Sequence, residues 1–194
     1  MRIFIALDID DAIRKRLQLF SDGMRGFAPD ARWVRPESLH VTLKFIGHKT
    51  TGEVGQIKQA LTRVRAGAVE LSFRGYGFFP TAKAPRVFWV GVEAGPQLAA
   101  LAKSVDEVTA ALGIPKEEHS FSPHLSLVRR AGSGAPRGRK GDAPNQWFRL
   151  LQERLAAMSV PEFGTMTARE FFLYESELGR GGSRYTKIAR FGLM

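Results

Sequence analysis

The chain predicts an α+β protein made of two copies of one β-α-β-α-β unit, with helices outside and sheet faces lining a central groove. Three observations predict it. A four-residue phrase occurs twice, as His40-Val41-Thr42-Leu43 and His124-Leu125-Ser126-Leu127, 84 residues apart. The same offset aligns Arg2-Ile3-Phe4-Ile5 with Arg86-Val87-Phe88-Trp89, each opening an apolar strand rich in β-branched and aromatic residues. Strand-like and helix-like segments then alternate in the same order in both halves. One such unit cannot cover both faces of its own sheet, whereas two related by a pseudo-twofold can. Residues 1–194 are therefore read as one bilobal domain, long enough for one good core, with repeats of approximately 1–85 and 86–194.

The elements follow in order. The first half reads as strand 2–8, helix 11–25, a short strand near Trp33, strand 39–46, helix 52–66 and strand 69–79. Ile13, Leu17, Phe20 and Met24 form the apolar stripe of the first helix, and Val54, Ile57, Leu61 and Val64 that of the second. The second half reads as strand 86–93, helix 96–112, strand 122–129, helix 145–158 and strand 165–175. Its stripes are Leu98, Leu101, Val105, Val108 and Leu112, then Trp147, Leu151, Leu155 and Met158. A last strand, Tyr185 to Phe191, follows a turn at Gly179–Gly182.

The repeated phrase carries the chemistry. Strand residues alternate faces, so in each phrase the His and the hydroxyl point one way and the apolar pair the other. Hydrolysis of a phosphodiester needs a base to activate water, an acid to protonate the departing oxygen, and donors for the phosphoryl oxygens. Histidine serves either proton role near neutral pH. His40 and His124 are thus expected to form an acid–base pair, with Thr42 and Ser126 holding the phosphate between them. A metal site is disfavoured, because neither phrase has an acidic residue on its inward face and Lys44 takes the next same-face position of the first. His48 and His119 lie outside the phrases and are expected to have no chemical role. Phe45, Phe78 and Phe79 are expected in the core.

With these flanks, the chain resembles the 2H phosphoesterase superfamily, and within it the RNA 2′,3′-cyclic phosphodiesterases, also called 2′-5′ RNA ligase-like proteins. The similarity runs through Arg2–Leu7, Trp33-Val34, Leu39–Gly47, Pro85–Gly91, Phe121–Leu127, Leu173–Leu178 and Tyr185. The resemblance implies a bilobal fold of two antiparallel sheets around a cleft. It implies hydrolysis of a terminal ribose 2′,3′-cyclic phosphate to a 2′-phosphate, and from the residues of the two phrases no metal or cofactor is expected. It makes His40 the proton donor and His124 the acceptor, with Thr42 and Ser126 on the phosphate. Ser126 stands where the family usually has Thr, and the hydroxyl survives. The family also often has an Arg near the end of this strand. Strict alternation favours Arg130, while the resemblance favours Arg129 and then requires a twist or bulge. Ligation of tRNA halves, cleavage of 2′-5′-linked oligonucleotides and hydrolysis of an ADP-ribose cyclic phosphate are alternative activities. A non-catalytic RNA-binding module is the alternative of another class.

Composition agrees with these readings. Lys and Arg number 29 against 19 acidic residues, a net charge of +10 that suits a polyanionic partner such as RNA. Five of the basic residues lie between Arg129 and Lys140 among glycines and a proline, which reads as a basic loop. There is no cysteine, so disulfides and thiolate metal sites are excluded. No apolar run has the length of a membrane span, and a monomeric cytoplasmic protein is expected.

Overall fold

The computed structural model describes residues 1–129 and 148–194. Arg130, Trp147 and most of the expected basic loop lie outside the described residues. The elements are β1 (Arg2–Leu7), α1 (Asp11–Met24), β2 (Arg32–Trp33), β3 (Val41–His48), α2 (Thr51–Leu61), β4 (Val69–Phe79), β5 (Val87–Ala94), α3 (Pro96–Ala110), β6 (His124–Arg129), α4 (Arg149–Ala156), β7 (Glu162–Ala168), β8 (Glu170–Gly179) and β9 (Gly182–Gly192). They form an α+β fold with two antiparallel sheets, ordered β3-β1-β8-β9 and β2-β6-β5-β4-β7. Among the described residues no helix is long and apolar enough to cross a membrane.

Both sheets turn one face to a continuous apolar core. Ile3, Ile5, Leu7, Val41 and Leu43 come from the first sheet, and Leu71, Phe73, Phe88, Val90, Leu125 and Leu127 from the second. The helices close this core with the stripes their periodicity predicts, including Ile13, Leu17 and Met24, then Val54, Ile57 and Leu61, then Leu98, Leu101 and Val105. The start of α2 is fixed by a capping box, in which Thr50 Oγ1 accepts from the Glu53 N–H and the Glu53 carboxylate accepts from the Thr50 N–H. The side chains of α4 at Leu151 and Leu155 are likewise buried.

Several boundaries differ from expectation. α2 ends at Leu61, and Val64 is buried from a turn beyond it rather than from a helix. α3 ends at Ala110, which leaves Leu112 exposed in the following turn. The single strand expected over 165–175 is two strands. At Arg169 the chain leaves the second sheet, where β7 pairs with β4, and enters the first, where β8 pairs with β1. The reason is visible in the burial, since Ala168 and Phe171 both face the core three residues apart and strict alternation breaks between them.

Two irregularities set the cleft. On β3, Lys44 pairs with Ile5 and Thr42 with Ala6, so Leu43 has no partner on β1. On β6, Val128 pairs with Phe88 and Ser126 with Trp89, so Leu127 has no partner on β5. Each is a bulge one residue past the hydroxyl, and each reverses the alternation beyond it. The same register shows that β1 and β5 correspond at an offset of 83, not 84. Phe4 lies opposite Phe45, as Val87 lies opposite Arg129. The alignment of Phe4 with Phe88 is off by one, which is why Phe4 faces the cleft and Phe88 the core.

Candidate active site

The cleft is lined by Val34, Ser38, His40, Thr42, Phe45, His124, Ser126, Arg129 and Tyr185. It gathers both histidines, both hydroxyls and Arg129 from the edge strand β3 and the facing strand β6. His40 stands immediately before β3, and His124 is the first residue of β6.

The two imidazoles are held alike. His40 Nδ1 lies 2.8 Å from the Ser38 carbonyl oxygen, and His124 Nδ1 lies 2.8 Å from the Ser122 carbonyl oxygen. A carbonyl only accepts, so each Nδ1 carries the hydrogen and each Nε2 is left to face a ligand. Sequence reasoning missed this orienting contact, although Ser38-x-His40 and Ser122-x-His124 extend the repeat by two residues.

Aromatic walls differ between the two sides. His40 packs against Phe4 at 4.7 Å, Tyr185 at 5.2 Å and Tyr174 at 6.1 Å between ring centroids. His124 meets the edge of Phe79 at 4.9 Å and lies 6.2 Å from Trp89. A Cβ at Gly77 would stand 2.1 Å from the Trp89 ring, so the missing side chain is what lets the indole lie against β4.

Burial among its rings pushes the His40 imidazole down to about 4 from its ordinary 6.5. The Arg129 guanidinium and the His124 ring act in the same direction, while the Ser38 carbonyl and the Asp8 carboxylate pull back in part. Burial would raise Asp8, but Lys187, the Ile9 N–H and Arg14 together hold it below the usual carboxylate range. Burial raises the Tyr174 phenol, which therefore stays protonated.

Three expectations are corrected. Lys44 does not share the inward face with His40. The bulge at Leu43 turns it away, where it is buried and pairs with Asp106 of α3 and donates to the Pro115 carbonyl at 2.9 Å. The same bulge carries Phe45 out of the core and into the cleft, where it is 55% exposed. Phe79 is half-buried and touches His124 instead of filling the core, whereas Phe78 packs on Phe88 and Phe148. On β6 the bulge at Leu127 brings Arg129 to the cleft face. His48 and His119 are exposed and lie outside the cleft. Among the described residues no group of three or more His, Asp or Glu side chains is placed to hold a metal ion.

Known proteins share this plan. The family model described as LigT like Phosphoesterase matches residues 7–89. The RNA 2′,3′-cyclic phosphodiesterase of Methanothermobacter thermautotrophicus is 31% identical, over 100% of this chain and 99% of that protein. The chain belongs to the LigT-like phosphoesterase family. A second member, the RNA 2′,3′-cyclic phosphodiesterase of Archaeoglobus fulgidus, is also 31% identical, over 98% of this chain and 99% of its own. Among solved members, Escherichia coli LigT complexed with 3′-AMP matches with a TM-score of 0.75 at 26% identity, covering 99% of this chain and 97% of that one. The family is one of phosphoesterases, and the cleft brings two imidazoles, two hydroxyls and one guanidinium together.

Proposed function

We propose that the protein hydrolyses RNA 2′,3′-cyclic phosphate ends to 2′-phosphates with His124 as general base and His40 as general acid, and with no metal. The observation that carries this reading is the matched pair of imidazoles in one cleft, each with Nδ1 tied to a carbonyl two residues earlier. The names of the relatives, RNA 2′,3′-cyclic phosphodiesterases, support the substrate.

His124 takes the proton of the attacking water, and His40 gives a proton to the departing 3′ oxygen. Thr42, Ser126 and Arg129 hold the phosphoryl oxygens as negative charge builds on them. His40 is neutral at pH 7 in the free protein, so its acid role needs an incoming anion. A phosphate monoanion about 4 Å away stabilises the imidazolium by ~4 kcal/mol at an effective dielectric of about 20. That is about three pH units, enough to return His40 to the neutral range. The substrate thereby charges its own acid.

Incubation with a nucleoside 2′,3′-cyclic phosphate in EDTA is expected to yield the nucleoside 2′-phosphate. Turnover only with added metal, or a 3′-phosphate product, contradicts the scheme. His40→Ala and His124→Ala are each expected to lose about 10²- to 10⁴-fold in kcat.

A further inference from the structure

Beside the cleft, the edge strand β2 sets a second arginine against the first. Arg32 is the direct cross-strand partner of Arg129, and both are exposed. Directly opposed residues in an antiparallel pair share a face. That face is the cleft face, because the next pair, Trp33 and Val128, is buried in the core and Val34 after it lines the cleft. Two like charges opposed in this way oppose strand pairing. Among the described residues neither guanidinium has a carboxylate partner. A pair kept uncompensated at the rim of a phosphate site is relieved by an anion between or across them.

We propose that Arg32 binds a second phosphate, the one on the 5′ side of the terminal nucleotide, while Arg129 holds the cyclic phosphate. This rests on the hydrolase reading above and adds to it a residue that would recognise the phosphodiester upstream of the reacting end. Cross-strand Cα atoms lie about 4.5–5.5 Å apart. Two long side chains rising from that base reach phosphates separated by one ribose. Arginine suits the task, because its planar fork takes two phosphate oxygens at once.

The test compares a nucleoside 2′,3′-cyclic phosphate with the same compound bearing a 5′-phosphate, for wild type, Arg32→Gln and Arg32→Lys. The wild type is expected to favour the 5′-phosphorylated substrate about tenfold, chiefly through KM, as one charged phosphate contact supplies. Arg32→Gln is expected to remove most of that ratio and Arg32→Lys to restore part of it. A wild type indifferent to the 5′-phosphate, or an Arg32→Gln variant that loses equally on both substrates, overturns the proposal. If the wild type turns over neither substrate, the hydrolase reading itself fails. The second-phosphate site is then judged by the dissociation constants of nucleoside 2′-phosphate with and without the 5′-phosphate. A wild-type preference for the doubly phosphorylated ligand that Arg32→Gln abolishes sustains the site, and no such difference removes it.

Discussion

His40 carries the sharpest chemical consequences of any single residue. Its imidazole is pushed down to about 4 in the free protein, so the acid role proposed for it requires that it gain a proton when an anionic substrate arrives. Since kcat/KM reports the free enzyme and kcat the complex, the pH limb that tracks loss of the acid proton should lie higher in kcat than in kcat/KM. Coincident limbs in the two profiles would show that the substrate does not recharge the ring. The same shift bears on stability. In the unfolded chain the ring titrates at its ordinary 6.5, so between 6.5 and about 4 the unfolded state binds more protons. The stability from keeping His40 neutral is complete above pH 6.5, declines as pH falls, and is lost below about 4. Urea midpoints of the wild type should therefore drop more steeply across this window than those of His40→Gln, and parallel slopes would contradict the assignment.

At the scale of the element, one-residue bulges decide what faces the cleft, and here the limit of sequence reading is plain. His40, Thr42, His124 and Ser126 precede the bulges, so simple alternation brings all four to one cavity. Lys44, Phe45 and Arg129 follow them, and alternation assigns each to the wrong face. Nothing in the apolar pattern marks Leu43 or Leu127 as unpaired, because a leucine extra to the ladder still packs into the core. Amphipathic stripes, by contrast, located all four α-helices of the described residues, since a 3.6-residue period is stated several times along each. The displaced Lys44 has an energetic consequence. It is 2% exposed, and its ammonium is compensated by Asp106 and the Pro115 carbonyl, which ties α3 to β3. Asp106→Ala leaves a buried charge without its counter-ion and should destabilise by about 3–5 kcal/mol. The double variant Lys44→Met with Asp106→Leu should recover most of that loss. Thermal or urea unfolding of the three variants checks it, and a double variant as unstable as Asp106→Ala would refute this account of the pair.

For the whole molecule, the two sheets do not coincide with the two halves of the chain. β4 belongs to the first half, yet it lies in the second sheet between β5 and β7. β8 belongs to the second half, yet it lies in the first sheet between β1 and β9. With the bulges as markers, β3-β1-β8 corresponds to β6-β5-β4, so the first half lends β4 to the second sheet and the second half lends β8 and β9 to the first. We read the 194 residues as one domain for this reason, with the duplication providing symmetry and the exchange of strands removing independence. Such an exchange explains how two histidines 84 residues apart are fixed across one cleft, since neither lobe can tilt without breaking a ladder into which the other has been woven. Cutting the chain between Pro85 and Arg86 should then leave fragments that do not fold separately. The first would keep β1 and β3 without β8, and the second would keep β5, β6 and β7 without β4 to join β7 to β5. Each would expose apolar faces that now form one core. Circular dichroism of the separate fragments should show little cooperative unfolding. Mixing them should restore both a single transition and the phosphodiesterase activity expected of the intact cleft. A cooperative transition from either fragment alone would show that the lobes, and not the woven pair, are the folding units.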